Sequence, residues 1–292
     1  MKLFLACSLF LGALCVSAFP FSSALSITPP NAQEASSSAH SYLGFDRNIY
    51  PGDDMMPILR KTFTFTSFWL GPPPGEKTNT WHGKRELLRS QGFGFLVLYR
   101  GRDSRELKNA VAAKSLGSSD AKKATATANS EGFPKNTIIF LDIEEGGRLP
   151  ANYHAYLAAW FEELTRANFR LGVYCSGMPV KEEPGVTITT ADDVRNNAPS
   201  REIAIWAYND LCPPSPGCTF PQNPSAPSAS GIGNFAVWQF AQSPRRKEFT
   251  AHCPAKYAPD GNCYAPGDDA HKWFLDVNSA TSPDPSAGAR EK

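Results

Sequence analysis

Short, continuous apolar runs alternate with longer helix-patterned stretches along most of the chain. The runs are SYLGFDRN at 41–48, FTFTSFWLG at 63–71, GFLVLYRG at 94–101, TIIFLDIEEG at 137–146, RLGVYCSG at 170–177, EIAIWAYND at 202–210, FAVWQFAQ at 235–242 and KWFLDVNSA at 272–280. Most are apolar throughout instead of alternating, the pattern of strands covered on both faces. Between them lie an apolar stretch around Met55 to Leu59, the helical pattern WHGKRELLRSQG, and a long Ala-rich segment from Ser104 to Gly132 with Asp120, Ala121, Ala124 and Ala128 at helical spacing. The clearest helix is NYHAYLAAWFEELTRAN, where Tyr153, Tyr156, Leu157, Trp160, Phe161 and Leu164 form one apolar face. A shorter one begins at TADDV.

Strands alternating with helices predict a parallel sheet. Eight such strands fit an α/β, TIM-like (β/α)8 barrel of one domain. An open doubly wound sheet is the alternative, but no G-x-G-x-x-G turn follows a strand. The last two units are irregular: residues 211–234 and 243–271 carry Pro, Gly and cysteines where helices would stand.

The termini read differently. Residues 1–18 combine Lys2, an apolar run and small residues at Val16 and Ala18, the pattern of a signal peptide. Ser8, Gly12 and Ser17 interrupt the run, which is short for a membrane anchor. Residues 19–40 read as a disordered linker, 41–281 as the barrel and 282–292 as a disordered tail. Export to the medium, the periplasm or the cell envelope is therefore expected, with no stable membrane insertion once the signal is removed. With 29 basic against 28 acidic residues, composition offers no general reason to bind nucleic acid.

Cysteine use agrees with export. Cys7 and Cys15 leave with the signal. Cys212 and Cys218 bracket one Pro-rich loop, and Cys253 and Cys263 another, each short enough for a local disulfide to close. Cys175, inside an apolar run, reads as a buried small hydrophobe. Neither cysteines nor histidines show metal-ligand spacing, so no metal or other cofactor is expected. No G-x-S-x-G elbow exists for a serine hydrolase.

The chemistry-bearing pattern is acidic. Asp46, Asp142, Glu144, Asp210 and Asp276 all stand at the ends of candidate strands, where a barrel of this kind keeps its active site. Asp142 and Glu144 are two residues apart and point the same way on a strand. Two carboxyl groups sharing a pocket cannot both ionise freely, so one keeps its proton, and a protonated acid beside an ionised one is what glycosidic cleavage requires. Glu144, the longer side chain, is expected to be the general acid; Asp142 would orient the substrate or stabilise charge at the sugar ring. Trp206, Trp238 and Tyr174, with Asp210, are the candidate substrate contacts, since flat rings stack on sugar faces.

YLGFDRN, FLDIEEG, GVYCSG, AIWAYND, VWQF and FLDVN occur in an order that resembles the landmarks of the family 25 glycoside hydrolase lysozymes. The match is closer to the bacterial glycoside hydrolase-like family known as domain of unknown function 1906. This resemblance spans residues 41–280 and implies a barrel related to peptidoglycan muramidases, with Asp46, Asp142, Glu144 and Asp276 in the catalytic positions. The expectation is an exported glycoside hydrolase acting on an N-acetylated polysaccharide such as peptidoglycan; the alternative is a barrel that binds cell-wall glycan without cutting it.

Overall fold

The computed structural model describes residues 40–253 and 255–291. The signal peptide and all of the linker but its last residue fall outside the described residues. Along the chain come β1 (Tyr42–Asp46), α1 (Met56–Leu59), β2 (Phe65–Trp69), α2 (Arg85–Ser90), β3 (Gly94–Arg100), α3 (Ala110–Ser130), β4 (Ile138–Asp142), α4 (Ala151–Arg166) and β5 (Arg170–Ser176). A hairpin of β6 (Val180–Glu183) and β7 (Val186–Ile188) follows, then α5 (Thr190–Asn197), β8 (Ile203–Tyr208), β9 (Val237–Ala241), α6 (Lys247–Thr250) and β10 (Asp276–Ala280).

Eight strands close into a barrel in the order β1-β10-β9-β8-β5-β4-β3-β2, a TIM-like α/β fold. Each of the eight apolar runs supplies one barrel strand, while the hairpin β6–β7, exposed but for Ile188, lies in a largely polar stretch. The all-parallel expectation fails at one place. β10 is antiparallel to both of its neighbours, β1 and β9. The irregular segment before it has no full crossover helix to return the chain to the bottom of the barrel, so the chain enters the last strand from the top. Asp276 therefore begins its strand instead of ending it, and it still reaches the same mouth, paired in register with Asp46.

The outer layer follows its sequence pattern. α4 buries the six predicted residues from Tyr153 to Leu164. α3 begins at Asn109, whose side chain accepts from the Ala112 N–H, and presents a face of small residues to α4. The close approach needs Gly117, because a Cβ there would lie 2.3 Å from the Tyr156 carbonyl oxygen. Asp120 interrupts that face. It is buried, paired with Arg102 at 2.6 and 2.8 Å, and accepts from the Tyr156 hydroxyl at 3.2 Å. Among the described residues no helix is long and apolar enough to cross a membrane.

Two expectations are corrected. Residues 282–291, expected as a tail, pack across the starts of β3 and β4. The Ser286 N–H donates to Phe95 O and Ser286 O accepts from the Ile138 N–H, both at 2.8 Å, while the Asp284 carboxylate takes the Phe95 N–H at 2.9 Å. Arg85 holds the carbonyls of Gly288 and Arg290. A Ser-, Asp- and Gly-rich segment, which cannot build a core, here satisfies strand-end amides that would otherwise be unpaired. Local disulfides do not form either: the bond joins Cys212 to Cys253 and ties the two irregular loops together. Cys218 and Cys263 remain buried thiols, as does Cys175.

Candidate active site

Asp46 and Asp142 are the last residues of β1 and β4, Asp276 is the first of β10, and Glu144 lies two residues past the end of β4. Strand closure brings all four to one cleft of about 360 Å3 at the mouth, whose wall also includes Trp69, Leu98, Tyr174, Trp206, Ser243 and Arg246. Two adjoining clefts extend it. One shares Asp46 and Asp276 and adds Arg47, Glu76 and Phe274. The other shares Asp142 and Glu144 and adds Arg100 and Arg102.

The four acids differ in environment. Asp142 is 3% exposed, and neither of its oxygens accepts a hydrogen bond from a protein donor. Burial, and then the adjoining Glu144 carboxylate, drive its affinity for a proton well above that of an ordinary aspartate. Glu144 is exposed in the cleft. Burial thus favours a proton on Asp142. Asp46 accepts from Asn278 Nδ2 at 2.7 Å and Gln239 Nε2 at 2.9 Å. Burial outweighs those two bonds and raises Asp46 to about 6. Asp276 accepts from the Ser243 N–H at 2.6 Å and is also raised, by burial first and the charge of Asp46 second.

A chain of amides supports this arrangement. The Tyr174 hydroxyl donates to Gln239 Oε1 at 2.8 Å, and Trp206 Nε1 donates to Asn278 Oδ1 at 2.8 Å. Tyr174 and Trp206 thus line the cleft while orienting the amides that hold Asp46. The other two predicted contacts are not placed there. Trp238 is 1% exposed and donates to Asn209 O at 2.8 Å, away from the cleft, because its side chain faces the outer packing layer. Asp210 is fully buried and paired with Arg246, so it positions a cleft-lining arginine instead of meeting solvent.

Sequence reasoning overlooked Gln239, Asn278 and Ser243. Each is a polar residue in or beside an otherwise apolar strand, and that mismatch was the available signal. It also overlooked Phe274, which is 43% exposed on the cleft wall with the Arg47 guanidinium 4.6 Å from its ring centroid. Among the described residues no cluster of His, Cys, Asp and Glu has the geometry to hold a metal ion.

Acids thus gather at the mouth of a closed TIM-like barrel, a buried aspartate beside an exposed glutamate. Residues 77–212 match the family model described as Rv2525c-like, glycoside hydrolase-like domain. No curated protein matches the chain. Among solved structures, an uncharacterized B. stearothermophilus protein is similar at 24% identity and a TM-score of 0.52, over 82% of this chain and 95% of that one, which shows the shared fold. The Mycobacterium tuberculosis Tat-secreted protein Rv2525c, solved with L-tartrate, aligns at 15% identity and 0.48 over 84% and 97%. The modular autolysin LytC from Streptococcus pneumoniae aligns at 13% and 0.45 over 82% of this chain and 46% of its own.

Proposed function

We propose that the chain is an exported glycosidase that cleaves an N-acetylated polysaccharide, with peptidoglycan the expected polymer. The observation that carries this reading is the pairing of buried Asp142 with exposed Glu144 in a cleft walled by Asp46 and Asp276. Glycosidic cleavage needs a proton delivered to the leaving oxygen and negative charge near the sugar ring as positive charge grows on it. Glu144 reaches the substrate and delivers the proton. Asp142, kept dry beside it, preserves one proton on the pair at pH values where a solvated aspartate has lost its own. Asp142 would also orient an acetamido group for attack on the ring carbon of its own sugar. Asp46 and Asp276 lie on the opposite wall, where Asp46, ionised above about pH 6, would stabilise the ring cation.

The test is release of reducing ends from purified cell wall and from chitooligosaccharides by the chain lacking residues 1–18. Glu144→Gln is expected to lower turnover by about a hundredfold or more, with the cleft still binding saccharide. Equal turnover by wild type and Glu144→Gln removes Glu144 from the chemistry. Saccharide binding without reducing ends from either protein establishes the non-catalytic alternative.

A further inference from the structure

Arg100 is the last residue of β3 and sits in register beside Asp142 on β4. It is exposed and lines the cleft that Asp142 and Glu144 share. The other arginines around the mouth are engaged. Arg47 donates to the carbonyls of Ile49 and Phe274, Arg102 pairs with Asp120 and Glu106, and Arg246 pairs with Asp210. Arg100 makes no hydrogen bond or ion pair with any described residue, although its charge acts on Asp142 and Asp103. A guanidinium presents a planar fork of donors matched to a carboxylate, and here that fork faces the cleft unused.

We propose that Arg100 recognises a carboxylate borne by the substrate sugar, so that the cleft selects an acidic N-acetylated glycan over a neutral one. This rests on the reading of the mouth as a glycan cleft. A carboxylate entering this cleft meets repulsion from Asp46, ionised above about pH 6, unless a cation receives it, and Arg100 is the cation without another partner on this wall. Neighbouring strands lie ~4.8 Å apart, about the width of one pyranose ring, so the acidic substituent belongs to a sugar adjoining the bond that Asp142 and Glu144 address. Two kinds of sugar carry such a group: one with a lactyl ether, as in muramic acid, and one with a uronic ring.

Binding in the Glu144→Gln background, by calorimetry on the otherwise full chain, separates the possibilities. The probes are chitotetraose, an alternating N-acetylglucosamine and N-acetylmuramic acid tetrasaccharide, and a hyaluronan tetrasaccharide. One of the two acidic probes is expected to bind about tenfold more tightly than chitotetraose, with the preference shrinking as salt rises; which of them does so identifies the source of the carboxylate. Arg100→Gln is expected to abolish the preference by weakening the acidic probe about tenfold more than chitotetraose, while Arg100→Lys keeps part of it. Equal affinity for acidic and neutral probes overturns the inference and leaves the glycan reading standing. So does an Arg100→Gln effect that is the same for all three probes, which would make Arg100 a charge balance for Asp142. Binding of none of them overturns the glycan reading, and this inference with it.

Discussion

Replacing Asp46 by Asn isolates one titrating group at the mouth and predicts a stability change whose sign reverses the usual expectation for a surface acid. Asp46 ordinarily titrates near 3.8 and in the fold is raised to about 6. The native state therefore holds this proton more tightly than the unfolded chain does. Its contribution to stability is fully present below the unfolded value and is lost as pH rises through about 6. At 1.36 kcal/mol per unit, the rise corresponds to about 3 kcal/mol, and contact with cleft solvent reduces this to about 2 kcal/mol. Asp46→Asn keeps an oxygen to accept from Gln239 and Asn278 but cannot ionise. Relative to wild type, the variant should gain about 2 kcal/mol between about pH 4 and about pH 8. Relief of Asp276, which Asp46 also raises, acts in the same direction. Urea denaturation followed by tryptophan fluorescence at the two pH values measures the difference. If the variant's stability relative to wild type is the same at both, burial does not dominate at this carboxyl, and the account of the acidic wall fails.

Phe274→Ala should leave the thermal midpoint nearly unchanged and weaken saccharide binding, whereas Trp238→Phe should lower stability by about 1–2 kcal/mol, through its lost bond to Asn209, without changing affinity. Thermal scans paired with saccharide titrations read both. Cys212→Ser opens a disulfide between positions 41 residues apart and should cost up to about 4 kcal/mol in the chain-entropy picture, measured by guanidinium denaturation; no change would show that the two loops are held by packing alone. Asp284→Ala removes the acceptor for the Phe95, Gly288 and Ala289 amides and should lower stability by about 1–3 kcal/mol. A result within error of wild type would return residues 282–291 to the role of a dispensable tail.

What was legible in the sequence, and what was not, follows from the physics of each signal. The eight barrel strands could be read because each is buried on both faces, which writes a run of apolar residues with nothing else competing for the position. The four acids could be read because a charged residue at the end of such a run contradicts its surroundings, and the barrel rule supplies a reason for the contradiction. Strand direction leaves no comparable mark: KWFLDVNSA looks the same whether it is entered from the top or the bottom, so the antiparallel β10 was hidden. Aromatics were misleading for a related reason. Trp206 and Trp238 are both large apolar residues near strand ends, and only the alternation of neighbouring strands decides that one faces the cleft and the other the packing layer. The tail failed because composition reports the capacity to bury apolar surface, and residues 282–291 are held mainly by hydrogen bonds to strand ends, which composition does not record. The division of roles between Asp142 and Glu144 lies at the same limit. Spacing places the two carboxyls together, but their difference in burial is decided by where β4 ends: Asp142 is its last residue and stays inside, while Glu144 has already emerged into the cleft.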